Sequence, residues 1–224
     1  MNSPSPPMQP EVLAPRAHQF EDAGQQHHAS WLGMWVFLAT EVMFFGGLFA
    51  SYTFCRSSYP DAFAAASNRL DIALGAINTA VLITSSLTMA MAVHSSESGR
   101  NKAIVRYLLL TMLLGTVFLG IKFYEYYQKY VEHHIPGPSF AFPAPYTQQA
   151  KMYFTLYFAM TGLHAVHMIV GCGLLTVLIV MAWRGRFTPE YHSPVEISGL
   201  YWHFVDIIWI FLYPLLYLIG RHLE

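Results

Sequence analysis

Five long apolar stretches dominate this chain, over about residues 31–54, 70–93, 102–130, 152–183 and 196–219. Crossing a bilayer takes roughly 20 consecutive apolar residues, because an α-helix rises about 1.5 Å per residue and the hydrocarbon layer is about 30 Å thick. Inside lipid, backbone N–H and C=O groups find no water, so only helices or a closed barrel can span. Barrel strands need only about 9–11 residues, so stretches of this length favour helices. The expected fold is all-α: a polytopic membrane bundle of five transmembrane helices.

Composition supports this. Charged residues make up 11% of the 224 and hydrophobic ones 54%, where soluble domains carry about 25% charged. A net charge of −1 argues against a nucleic-acid partner. Cys55 and Cys172 form no CxxC or paired spacing, which argues against a disulfide framework or zinc site. Residues 1–26 are Pro- and Ser-rich with no signal-peptide apolar core; they are expected to form a disordered tail ahead of a membrane domain over 27–224. The links "RSSYPDAFAAASNR", "HSSESGRNK", "EHHIPGPSFAFPAPYTQQ" and "RGRFTPEYHSP" are polar and turn-rich, and the third, with four prolines, reads as an irregular surface loop. Near the span ends, Arg16, Arg100, Lys102, Arg106, Arg184 and Arg186 fall on one side, and Arg56, Arg69, Lys129, Lys151 and Arg221 on the other. Six against five favours the N-terminus inside and the C-terminus outside.

Polar residues at membrane depth are costly, roughly 2.5–3.5 kcal/mol for a central charge. Glu41, in "ATEVMFFGG", lies about ten residues into the first span, so about 15 Å deep. Asp206 lies at similar depth in the fifth span, with His203 three residues before it on the same face. Asn78 is mid-depth in the second span, and His164 and His167 share a face of the fourth. These groups are expected to point into one bundle and hydrogen-bond there, Glu41 to His164 or His167. Three readings stay open: a metal site, for which an HxxH pair alone is a weak signal; a proton relay; and polar residues that fix helix positions. Lys122 and Glu125 either pair or let Lys122 snorkel. Arg184 and Arg186 are candidates for lipid phosphate. The sequence has no Gly-rich phosphate loop, nucleophile elbow or CxxCH motif.

"GLYWHFVDIIWIFLYPLLY" (199–217), "TGLHAVHMIVG" (161–171), "ATEVMFFGGLFASY" (39–52) and "LGAINTAVLITSSLTMAMAVHS" (74–95) resemble, in order, motifs of the cytochrome c oxidase subunit III family. The likeness runs from about His27 to Gly220. It implies an accessory subunit of a haem-copper terminal oxidase in a bacterial plasma membrane. Such a subunit carries no cofactor of its own, the haem and copper lying in partner subunits. The resemblance further implies packing on catalytic subunit I, bound phospholipid, support of proton uptake and of durability under turnover, and the same N-inside topology. Its buried polar residues map to Glu41, His164, His167, His203 and Asp206. The chain departs from the longest members in having five spans rather than seven, and in placing Lys122 where a neutral residue is expected. Cytochrome c and quinol both remain open as donor, and membership of a larger respiratory supercomplex is open too. A companion of nitric oxide reductase and a stand-alone proton or metal transporter are the alternatives.

Overall fold

The computed structural model describes residues 23–219. Its elements are α1 (Ala23–Ser58), α2 (Pro60–Ser67), α3 (Ile72–Glu97), α4 (Asn101–Val131), α5 (Thr147–Trp183) and α6 (Ser193–Tyr217). All but α2 are long and apolar enough to cross a membrane. The expected tail lies outside the described residues as far as 22. Residues 23–26 belong to the first turns of α1, so the helix begins earlier than the apolar pattern suggested. α2 corrects the reading of 56–69 as a polar, turn-rich link. Pro60 starts it, and its alanines let it pack Phe63 and Ala66 fully into the core.

Local chemistry sets the helix ends. Asp71 caps α3 by accepting from the backbone N–H of Ala73 at 2.8 Å and Leu74 at 3.2 Å. α3, α4 and α5 all end in the same motif, with one residue in the left-handed region and a 6→1 hydrogen bond closing the turn. Gly99 and Gly185 take that conformation at φ 62° and 68°, and His133 takes it at φ 57°. The closing bonds are Arg100 N–H to Ser95 C=O, Arg186 N–H to Met181 C=O and His134 N–H to Lys129 C=O.

Contacts at the two ends of the bundle show successive long helices alternating in direction. At one end Asn101 holds the α5–α6 loop by donating to the Phe187 carbonyl at 2.8 Å. At the other, Ser67 and Tyr153 both donate to the Leu216 carbonyl, at 2.7 and 2.8 Å. That carbonyl belongs to the last turn of α6, where no helical partner exists.

α3, α4, α5 and α6 form the core bundle, and α1 lies against α5 and α6. Of the most apolar window of α6, 56% is buried, against 11% for α1. Trp202 of α6 shows why the bundle closes so tightly. A Cβ on Gly115 of α4 would sit 2.8 Å from Trp202 Cη2, and one on Gly171 of α5 would sit 2.9 Å from Cζ3. The indole therefore fills a slot between two glycines, and its Nε1–H donates to Ser85 at 3.0 Å. The small residues Gly46 and Gly47 of α1 meet nothing: added Cβ atoms there would find no atom within 4 Å.

Candidate functional site

Glu41 of α1 meets His167 of α5, with Oε2 3.1 Å from Nε2. The side chains are 20% and 14% exposed, so the pair sits at the edge of the bundle. The other ring nitrogen, Nδ1, lies 2.9 Å from the Leu163 carbonyl. A carbonyl only accepts, so Nδ1 carries hydrogen. A neutral ring then offers a lone pair at Nε2, and a carboxylate would face it unfavourably. The contact therefore requires one more proton, held either as a carboxyl O–H donating to Nε2 or as an imidazolium N–H donating to the carboxylate. The pair is a one-proton device, neutral overall. Phe45 and Tyr201 flank the imidazole, with ring centroids 5.5 and 6.4 Å away.

The remaining polar residues do not join this pair in one network, and the single-network expectation is corrected. Depth along a helix gives height, but direction around the axis decides who meets whom. His203 faces away from α5, toward α3, where Nδ1 lies 2.7 Å from the Ser86 hydroxyl. Asp206 is 3% exposed, and neither carboxyl oxygen has a hydrogen-bond partner among the described residues. Asn78 donates to the Phe118 carbonyl at 3.4 Å while its own oxygen has no partner among the described residues. His164 is fully enclosed, its two nitrogens without a hydrogen-bond partner among the described residues, with its ring against Phe118 (5.4 Å) and Trp209 (5.3 Å). Among the described residues, no three His, Cys, Asp or Glu side chains converge in a metal-binding group.

A second polar centre lies deeper than the sequence suggested. Lys122 of α4 does not snorkel: its side chain is 4% exposed and that of Glu125 is 2%. Lys122 Nζ donates to Glu125 Oε2 at 2.9 Å, Tyr157 at 3.1 Å and Tyr217 at 2.8 Å. Both tyrosines donate in turn to Glu125 Oε1, at 2.9 and 2.6 Å. Three ammonium hydrogens meet three acceptors, and the carboxylate is satisfied at both oxygens. The cage is closed and neutral, and it ties α4 to α5 and α6. Trp209 caps it from the side, its ring centroid 5.0 Å from Nζ.

Next to the cage, in the last turn of α4, Lys129 donates to the Arg69 carbonyl at 2.7 Å and to Glu132, just past the helix, at 2.6 Å. Glu132 also meets His134 at 3.0 Å, whose ring stacks on Phe154 at 5.0 Å. Burial pushes the His134 imidazole below its ordinary pKa, outweighing the opposing pull of Glu132. At Glu132 burial works upward, but the bonds and charges of Lys129 and His134 win and hold the carboxyl below its usual range. Arg184 and Arg186 are exposed on either side of Gly185, just past α5.

With this geometry in place, comparison with known proteins is decisive. The model of the family described as cytochrome c oxidase subunit III matches residues 23–221. The chain belongs to the cytochrome c oxidase subunit III family. Among its relatives, cytochrome c oxidase subunit 3 of Papio hamadryas is 33% identical over 216 residues, covering 89% of this chain and 76% of the relative. The Gallus gallus protein of the same name is 32% identical with the same coverage. The Corynebacterium diphtheriae protein, also cytochrome c oxidase subunit 3, is 33% identical over 190 residues, covering 84% of this chain and 87% of the relative. The four stretches that carry the subunit III likeness fold into α1, α3, α5 and α6, and they contribute Glu41, Asn78, His164, His167, His203 and Asp206. Lys122 and Glu125 of the cage lie on α4, outside those stretches, whereas Tyr217 belongs to one of them. Its spacing of Lys122 to Glu125 was visible in the sequence, but its two tyrosines were not.

Proposed function

We propose that this chain is an accessory, non-redox subunit of a haem-copper terminal oxidase in a bacterial plasma membrane, with its N-terminus inside and C-terminus outside. Haem and copper belong to its partner subunits, and the chain packs on the catalytic one. The observation that carries this reading is the subunit III family match along 23–221, which includes all five membrane-length helices.

The finer roles have separate support. The Glu41–His167 pair holds one proton at the border of the bundle, which suits a subunit that assists proton uptake in its neighbour. Exposed Arg184 and Arg186 flank the end of a span, where guanidinium groups meet lipid phosphate. The closed Lys122 cage and the Trp202 slot make a rigid bundle, suited to keeping a catalytic partner intact during turnover.

The test is affinity capture of the tagged chain from mildly solubilised membranes. A copurifying polypeptide with haem absorbance and copper is expected, while the chain expressed alone shows neither. Stoichiometric haem or copper in the isolated chain, or capture without any haem-bearing partner, would refute the proposal.

A further inference from the structure

Asp206 stands one residue past the midpoint of α6 (Ser193–Tyr217), so it lies near the centre of the membrane. It is 3% exposed, and both its oxygens lack a partner among the described residues. A buried carboxyl group without hydrogen bonds is among the least favourable arrangements in lipid. Nothing else on α6 relieves it. His203, one turn away, is engaged by Ser86 at 2.7 Å.

What Asp206 faces is a cavity of about 270 Å³ between α3 and α6, lined by Leu82, Ile83, Ser86, His203, Ile207 and Ile210. His203 and Ile207 also border a larger apolar furrow of about 490 Å³ between α6 and α1. One side of the molecule, running along α6, is therefore grooved at mid-membrane depth. Its rims are apolar and outward-facing: Ile83, Ile207 and Ile210 are 54%, 50% and 45% exposed. The α3–α6 cavity has mostly apolar walls and a carboxyl on its floor with unused hydrogen-bonding capacity. Lipid acyl chains match the walls but offer no donor. A helix carrying one polar side chain matches both.

We infer that the α3–α6 groove receives a transmembrane helix of a partner subunit, which sets a hydrogen-bond-donating side chain against Asp206. This rests on the accessory-subunit reading and adds to it which face docks and which residue anchors the contact. Buried water over Asp206, or lipid alone in the groove, are the competing occupants.

Two experiments on the full complex test it. A benzophenone amino acid is placed at Ile83 or Ile210 in the groove, and at Leu113 of α4 or Val177 of α5 for comparison, both 58% exposed. Irradiation of native membranes is expected to join the groove positions to another oxidase polypeptide. Partner adducts from Leu113 or Val177 but none from the groove would overturn the docking face and leave the accessory role standing. Lipid adducts from all four positions, with no copurifying partner, would overturn both. The second experiment compares Asp206→Leu with wild type. Loss of a hydrogen bond to a neutral buried group should lower retention of the partner in mild detergent by about two- to tenfold. The melting of the full chain expressed alone should fall by less than the retention does, because within the chain Asp206 faces only the Ser86 hydroxyl, which His203 also engages. Undiminished retention, or a lone chain destabilised as much as its hold on the partner, would each overturn the inference.

Discussion

Replacing Lys122 by Met tests the closed cage most sharply. Methionine keeps the length and apolar stem of the side chain but removes the ammonium. The change leaves Glu125, 2% exposed, as a buried carboxylate supported only by the hydroxyls of Tyr157 and Tyr217. Removing one partner of a buried ion pair costs roughly 3–5 kcal/mol. The two tyrosine donors remain, so the lower end applies: about 3 kcal/mol, or about a hundredfold in the unfolding equilibrium. The double variant Lys122→Met with Glu125→Leu removes both charges and should regain most of that loss, because apolar replacement of a whole buried pair is often neutral. Unfolding in mixed micelles by titration with a denaturing detergent is the assay, followed by tryptophan fluorescence. Trp209, whose ring lies 5.0 Å from Lys122 Nζ, reports locally. The expected coupling between the two substitutions is at least about 2 kcal/mol. A single-variant cost below about 0.5 kcal/mol, or simple additivity, would show that the charges are solvated and the cage argument wrong.

Three further outcomes follow from the geometry. Gly171→Ala drives a methyl group to 2.9 Å from Trp202 and should cost about 1–3 kcal/mol. Gly173→Ala, two residues on with no atom within 4 Å of its added Cβ, should gain up to about 1 kcal/mol from helix propensity, and the same micelle titration reads both. Glu41→Gln keeps a donor toward His167 Nε2 and should melt within about 1 kcal/mol of wild type, whereas Glu41→Leu should cost about 1–3 kcal/mol; equal losses would contradict the shared proton. The loop after α4 should loosen as pH falls. The folded pKa of His134 lies below its ordinary 6.5, so the unfolded loop takes up the proton first, and stability present above that value is lost below it. Glu132, also lowered, adds a second loss below its ordinary 4.5. Hydrogen exchange of residues 132–146 at pH 7.5 and 5.5 checks the first window, and His134→Phe should abolish it.

The five spans were legible because lipid leaves a long apolar segment almost no choice but helix. Their ends were less so. Gly99 and Gly185 mark their turns in the sequence, but His133 takes the same left-handed turn without a glycine. α2 escaped notice because eight residues rich in alanine carry too short a pattern, and its burial depends on α5 and α1. At the site, the depth argument brought Glu41 to His167 but wrongly united residues that share a height and point different ways. Asp206 and His203 face α3, and His164 is enclosed by rings. Lys122 was ambiguous because a neighbouring acid suits both pairing and snorkelling. Its tyrosine acceptors lie 35 and 95 residues further on, a distance that only the fold closes.

As proposed, this chain assists an oxidase without carrying its chemistry. The most direct measurement is to strip the chain from the purified complex and record the haem spectrum, the copper content and oxygen consumption through repeated turnover. Full haem and copper in the remaining complex are expected, with an initial rate close to that of the intact enzyme and a faster decline as turnover proceeds. Haem or copper leaving with the chain, or an initial rate of zero, would contradict the claim.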